Sequence, residues 1–248
     1  MKEELLKNIL LYTVYISLCV QILSGIFDIF IIIIKKESNI LLLKLLFLEL
    51  LVQIIEGIFY TWLIYYFSNI SNVTPKRYLD WFISTPIMLF ITCVYLEYIR
   101  IKKYNKEIDN KKIDNKLENY ENLRKEESPT NLYNILLKYK STFLIIFLLN
   151  ALMLIFGYLG EINVLPVKMS VFLGFIPFSI YFIIIYNTFA KFTFEGKILF
   201  YVLFIIWALY GISALFSYYI KNISYNILDI IAKNFFILFL GYMVLYND

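Results

Sequence analysis

The sharpest chemistry in this sequence lies near its C-terminal end, at Lys233 and at Asp229 four residues before it. In a helix, residues i and i+4 share a face. Lys233 stands near the middle of an apolar run and reaches neither end of it. A lone ammonium in such surroundings loses its proton or takes an anionic partner. A desolvated lysine is also the nucleophile that forms a Schiff base with a carbonyl compound, and carboxylates beside it hold the protonated form. Asp80, in another apolar run, offers a second carboxylate, and Arg77 precedes it by about one turn. The alternative use of these residues is a buried ion pair that only locks helices together.

The other polar residues of the apolar runs form stripes. Ser17, Gln21, Ser24 and Asp28 are spaced four, three and four, and Glu49, Gln53 and Glu56 four and three. Asn226, Asp229 and Lys233 follow at three and four. Each set shares one helical face. A charge in hydrocarbon costs about 2.5–3.5 kcal/mol on insertion scales, so two acids two turns apart, Glu49 and Glu56, imply that water reaches that face. A hydrogen-bonded helix interface without conduction is the alternative. Lys44 and Glu97 lie near the ends of their runs and are expected to snorkel toward the interface.

The elements that must position these residues follow from composition. The 248 residues are 61% hydrophobic and 17% charged, with no histidine, whereas soluble domains are roughly 45–50% apolar. The lack of histidine excludes His-based triads, His-ligated metals and imidazole shuttles; Cys19 and Cys93 are too few for a disulfide framework or a four-cysteine site. A bilayer-spanning helix needs about 20 mainly apolar residues. Such runs fall at 9–34, 40–68, 79–99, 142–161, 167–189, 198–220 and 223–245. They lack the alternating ten-residue pattern of an outer-membrane barrel. The expectation is an all-α membrane protein, one seven-helix domain over 1–248, with a charged loop at 100–141. No cleavable leader is expected, because the first run is too long and has no small-residue cleavage site.

Basic residues assign the sides. Lys35, Lys36, the Lys and Arg of 100–141, Lys191 and Lys197 face one side; Lys2, Lys7, Lys76, Arg77, Lys168 and Lys221 face the other. The positive-inside rule then puts the N-terminus outside and the C-terminus in the cytoplasm. The net charge of +4 is thus a matter of topology, and no nucleic-acid partner is expected.

One string is more specific than these patterns: Arg77-Tyr78-Leu79-Asp80-Trp81-Phe82-Ile83-Ser84-Thr85-Pro86. Together with Leu228-Asp229-x-x-Ala232-Lys233, with Met153-x-x-x-Gly157-Tyr158-x-Gly160-Glu161 and with Trp207-x-x-Tyr210, it closely resembles the microbial (type 1) rhodopsins. The likeness covers essentially all seven runs. The Ile-, Asn-, Lys- and Tyr-rich style resembles the viral rhodopsins of large algal viruses, in particular their first group, described as light-gated cation channels. The resemblance implies all-trans retinal on Lys233, with Asp80 and Asp229 as counterions and Asp80 as proton acceptor. It implies Arg77 as an outer gate and a retinal pocket of Trp81, Ser84, Thr85, Met153, Gly157, Trp207 and Tyr210. It implies a photoreceptor rather than an enzyme, multi-pass in a host or viral membrane, with homo-oligomerisation left open.

The three stripes discriminate among light-driven activities. In a seven-helix ring the first, second and seventh helices are neighbours, and Ser17, Gln21, Glu49, Gln53, Glu56 and Asn226 would converge on one hydrated path for monovalent cations or protons. The alternative is an outward proton pump. Such pumps in the family place a carboxylate donor eleven residues after the counterion, where this chain has Ile91, with Thr92 beside it. Gly211 stands where the sixth helix usually carries a proline, which puts the usual kink in doubt. A photosensor signalling through 100–141 is the third reading.

Overall fold

The computed structural model describes residues 2–35, 39–69, 72–113 and 131–246. Lys36 and the central part of the charged loop, 114–130, lie outside the described residues. The elements in chain order are α1 (Lys2–Ile34), α2 (Ile40–Tyr66), α3 (Thr74–Ile113), α4 (Leu132–Lys138), α5 (Lys140–Glu161), α6 (Val167–Thr188), α7 (Phe194–Ser213), α8 (Tyr218–Asp229) and α9 (Phe235–Tyr246). A π-helical turn, Ile230–Asn234, joins α8 and α9 into one column. All regular structure among the described residues is helical.

Local chemistry starts these helices. Asn39 caps α2 by accepting from the Leu41 and Leu42 N–H groups at 3.1 and 3.3 Å. Thr193 caps α7 through the Gly196 N–H at 2.9 Å. Both satisfy donors that the first turn leaves open. Among the described residues, six helical columns are long and apolar enough to cross a bilayer: Lys2–Ile34, Thr74–Ile108, Lys140–Glu161, Val167–Thr188, Phe194–Ser213 and Tyr218–Tyr246. The remaining long helix, α2, has 27 residues, ample for about 30 Å of hydrocarbon, but it carries Lys44, Glu49, Gln53 and Glu56.

Burial is inverted relative to a soluble protein. Leu23, Ile33, Phe47 and Phe172 are exposed, while Asp28, Glu49, Glu56 and Arg77 are fully buried. Apolar outside and polar inside is the pattern of a chain solvated by lipid. Cys19 is on the outer surface and Cys93 inside. Helices α1, α2, α3 and the α8–α9 column pack around one polar seam. On the side of the basic loops, aromatic and aliphatic side chains including Leu46, Ile91, Val94, Tyr181, Phe182 and Phe236 form the main core.

Helix ends depart from the apolar runs in three places. Helix α3 begins at Thr74 and continues to Ile113, well past the run 79–99, because a helix does not end where hydrocarbon does; Lys103 and Glu107 pair at 3.9 Å along this extension. Within the expected loop, Leu132–Lys138 forms a short helix. Helix α7 ends at Ser213, and Tyr218–Lys221 already belong to the next helix, whereas the sixth run was drawn to 220. The turn between them contains Ala214, Leu215 and Phe216, so its apolar composition hides the break.

Lys44 is exposed, as snorkelling requires. Glu97 does not snorkel. It is fully buried, 3.3 Å from Arg100 and 3.2 Å from Lys138, and accepts from the Tyr139 hydroxyl at 2.9 Å. Burial alone would lower the Lys138 ammonium, but Glu97 and Tyr139 hold it above its ordinary range.

Candidate functional site

Lys233 lies on the π-helical turn, where the Phe235 N–H bonds the Ile230 carbonyl five residues back. Such single, wider turns recur at functional sites. The extra residue shifts Lys233 around the axis relative to Asp229, so the i, i+4 relation is loosened. Lys233 Nζ donates to Asp80 Oδ2 at 2.9 Å, faces Glu56 Oε1 at 3.3 Å and stands 3.9 Å from Asp229 Oδ1. All four groups are buried. One ammonium among three carboxylates is the central electrostatic fact of the molecule. The sequence reading assigned Glu56 to the ion path and not to the counterions; the structure brings it within 3.3 Å of Lys233.

Asp229 belongs mainly to a second network, toward the N-terminal ends of α1 and α3. Its Oδ2 accepts from the Tyr60 hydroxyl at 2.7 Å and lies 3.4 Å from Arg77 Nη1, and its Oδ1 accepts from the Tyr210 hydroxyl at 2.8 Å. Arg77 also donates from Nε to Asn222 Oδ1 at 3.1 Å and from Nη2 to Asn226 Oδ1. Its guanidinium carbon lies 5.5, 5.9 and 5.8 Å from the ring centroids of Phe59, Tyr60 and Tyr225, so the buried cation is held by acceptors and by aromatic faces. Asn226 Nδ2 donates to Thr13 at 2.8 Å, and Ser17 Oγ reaches the Asn226 carbonyl at 3.3 Å. Tyr60 was missed in the sequence, although it extends the stripe Glu49, Gln53, Glu56 by four residues. Asn222 likewise precedes Asn226 by four.

Toward the opposite end the seam changes character. Ser24 Oγ lies 2.5 Å from Asn234 Oδ1 and 3.4 Å from Gln53 Oε1. Both carboxylate oxygens of Asp28 and of Glu49, both amide atoms of Gln21, Gln53 Nε2 and Asn234 Nδ2 are buried without a hydrogen-bond partner. The three stripes thus converge as expected, and all their members are buried.

A cavity opens on the other side of Lys233, between α3, α5, α6, α7 and α8. Trp81, Thr85, Met153, Gly157, Trp207 and Tyr210 line it, as do Tyr78, Phe175, Phe178 and Tyr225. Trp81 stands edge-on to Tyr210 and Tyr225, with centroids 5.6 and 5.1 Å away and both planes at 89°. Ser84 does not line this cavity; its hydroxyl donates to the Asp80 carbonyl at 3.0 Å. That is the back-bond of a mid-helix serine, so Ser84 steadies the turn carrying Asp80 instead of walling the pocket. Glycine matters at two places on the wall. A Cβ on Gly157 would stand 2.5 Å from the Tyr78 hydroxyl, and one on Gly211 would stand 2.7 Å from the Phe175 ring. Gly211 therefore lets an aromatic ring lie against the backbone.

The profile of the bacteriorhodopsin-like protein family matches residues 9–246. The chain belongs to this family. Bacteriorhodopsin-like proteins are seven-helix integral membrane proteins that bind retinal. Among solved structures the chain is similar to viral rhodopsin OLPVRII, at 24% identity and a TM-score of 0.74, over 96% of this chain and 99% of that one. It is similar to the blue light-absorbing proteorhodopsin from Med12 at 15% identity and 0.68, over 96% and 98% of the two chains. It is similar also to xanthorhodopsin, described as a light-driven ion pump with dual chromophore, at 14% and 0.67, over 96% and 93%. At these identities the likeness establishes the fold. No curated protein matches the sequence.

Proposed function

We propose that this rhodopsin is a light-gated cation channel, with all-trans retinal carried on Lys233 and its path along the seam of α1, α2, α3 and the α8–α9 column. The observation that carries the reading is the set of buried, unpartnered polar atoms on Gln21, Asp28, Glu49, Gln53 and Asn234. Buried polar groups in native proteins are nearly always satisfied, and those left open by protein are satisfied by water. A file of such groups bearing two carboxylates is a route that favours cations.

The chain's residues suit retinal. A flat, apolar polyene aldehyde requires an amine at one end of an aromatic slot, and the cavity offers Lys233 between the walls of Trp81, Trp207 and Tyr210. Glycine at 157 and 211 leaves room there that a Cβ would fill. When bound, retinal supplies a change of shape driven by light. Asp80, 2.9 Å from Nζ, is placed to take a proton from that nitrogen. Asp229, held by Tyr60, Tyr210 and Arg77, stays charged as the second counterion. Loss of the Lys233–Asp80 charge pair frees Glu56, 3.3 Å from the same nitrogen, to turn toward the file. Arg77, tied to Asn222, Asn226 and Asp229, closes the outer end at rest. The N-terminus is placed outside and the C-terminus in the cytoplasm by the distribution of basic residues.

An outward proton pump is the second reading, favoured by the direct Lys233–Asp80 contact. Against it, the position eleven residues beyond Asp80 is Ile91, buried in the apolar core, and no acid replaces it there. Current–voltage recording under illumination tests the choice. A photocurrent whose sign reverses with the cation gradient is expected; a current outward at every voltage, with acidification outside, would mean a pump.

A further inference from the structure

The polar seam ends abruptly toward Asn39. On α1 the buried residues run Gln21, Ser24 and Asp28, and then Ile31. On α2 the buried residues before Glu49 are Leu41, Leu42, Leu45 and Leu46. On α9 they are Phe236, Ile237, Leu240, Gly241 and Val244. The three faces turn apolar at one level. Ser24 meets Gln53 and Asn234, and α1 and α2 pack side by side in opposite directions. Asp28, one turn past Ser24, therefore stands level with Glu49, one turn before Gln53.

Beyond that level the packing is close. From Glu49 back to Ile40, α2 rises about 14 Å, and its buried side chains there are all leucine. A Cβ on Gly241 would stand 2.7 Å from Ile31 Cδ1 and 3.2 Å from Phe27 Cε1, with Asp28 Oδ1 at 3.8 Å. Glycine thus lets α1 lie on the backbone of α9 beside the last acid of the file. The file upstream carries buried polar atoms that call for water, whereas an apolar enclosure stays dry. A hydrated cation does not cross a dry constriction, and channels use such constrictions to close.

We propose that the belt of Ile31, Leu42, Leu45, Leu46, Ile237 and Leu240 is a hydrophobic gate, closed in this structure, that parts the Asp28–Glu49 file from the water at the Asn39 end. The gate rests on the channel reading and names the part of the path that must open. Its lever is on the same column: Ile237 and Gly241 follow Lys233 by four and eight residues, across the π-helical turn. A displacement at Lys233 is therefore delivered to the belt along one helix axis.

The test records current from cells expressing the full chain with retinal, in darkness and in light. The wild type should pass cations in light and stay tight in darkness. Leu45→Ser and Ile31→Thr each put a hydroxyl into the belt and should give a cation current in darkness, on the order of tenfold above the wild type, while the visible absorption band is kept. Ile33→Thr, on the outward face of α1, should give none. A belt that serves packing alone would leave the hydroxyl variants silent in darkness with their band intact, and that result overturns the gate. If those variants lose the band, Leu45→Cys in a C19A/C93A background decides. A positively charged methanethiosulfonate should modify it on the order of tenfold faster in light than in darkness, and equal rates overturn the proposal. A wild type without a reversing photocurrent removes the channel reading and the gate together; a normal wild-type photocurrent with silent hydroxyl variants removes the gate alone.

Discussion

The two ends of the polar seam handle buried polar groups in opposite ways. At the end nearer Thr74, Arg77, Asn222, Asn226, Asp229, Tyr60 and Tyr210 form one connected network spanning α2, α3, α7 and α8. At the end nearer Asn39, Asp28, Glu49 and Gln21 lack hydrogen-bond partners on every side-chain polar atom. The two halves share helices and depth of burial, and differ in donors: the Arg77 half has a guanidinium and two phenols facing its carboxylate, the Asp28 half only amides, acids and the Ser24 hydroxyl. A saturated network has one low-energy arrangement and is rigid. An unsaturated one requires water and can exchange it. Lys233, with Asp80, Glu56 and Asp229, sits at the boundary, where a change in one charge acts on both.

The comparison can be broken by substitution. The largest expected effect is at the boundary: Lys233→Ala should abolish both the visible absorption band formed with added retinal and the photocurrent. A surviving band would remove the lysine from its assigned role. At the Arg77 end, Arg77→Gln leaves buried Asp229 without the guanidinium 3.4 Å away, and should cost about 3–5 kcal/mol of stability, as for other broken buried pairs; chemical denaturation checks this. Tyr60→Phe removes one hydrogen bond to that charged group and should cost roughly 1.5–3 kcal/mol in the same assay. The Asp28 half should behave otherwise. Asp28→Asn and Glu49→Gln replace buried carboxyl groups that have no partner to orphan, so stability should shift by less than about 1 kcal/mol or rise, while Glu49→Gln lowers the cation photocurrent several-fold. If the Asp28 and Glu49 variants destabilise as much as Arg77→Gln, the two halves are alike and the distinction fails.

Much of this was legible in the residues. Lys233 and Asp80 stood out as charges inside apolar runs, and the stripes Ser17–Asp28 and Glu49–Glu56 lie on the seam as their spacing required. The wall of the cavity holds Trp81, Thr85, Met153, Gly157, Trp207 and Tyr210, which came from a motif likeness and not from periodicity. With 23 Phe and 22 Tyr in the chain, pattern alone could not single out Tyr225 or Phe175, whereas Tyr60 lay on the Glu49–Glu56 stripe and could have been read from it. Ser84, expected in the pocket, does not line the cavity, because it shares the helix face of Asp80 four residues before it, whereas Thr85 shares the face of Trp81. Glu97 was misread for another reason. Its partners Lys138 and Tyr139 come from a segment that looks like a solvated loop.

By itself, then, the sequence determined the helices, their membrane setting and the polar face of each, because hydrophobic length and 3.6-residue periodicity are local properties of the chain. Only the tertiary structure decided which acids share the lysine. The axial register of α2 puts Glu56 rather than Glu49 at Nζ, and the π-helical turn swings Lys233 toward Asp80 while Asp229 is claimed by Arg77 and two tyrosines. Rotation and register between helices arise from packing, and no local pattern encodes them.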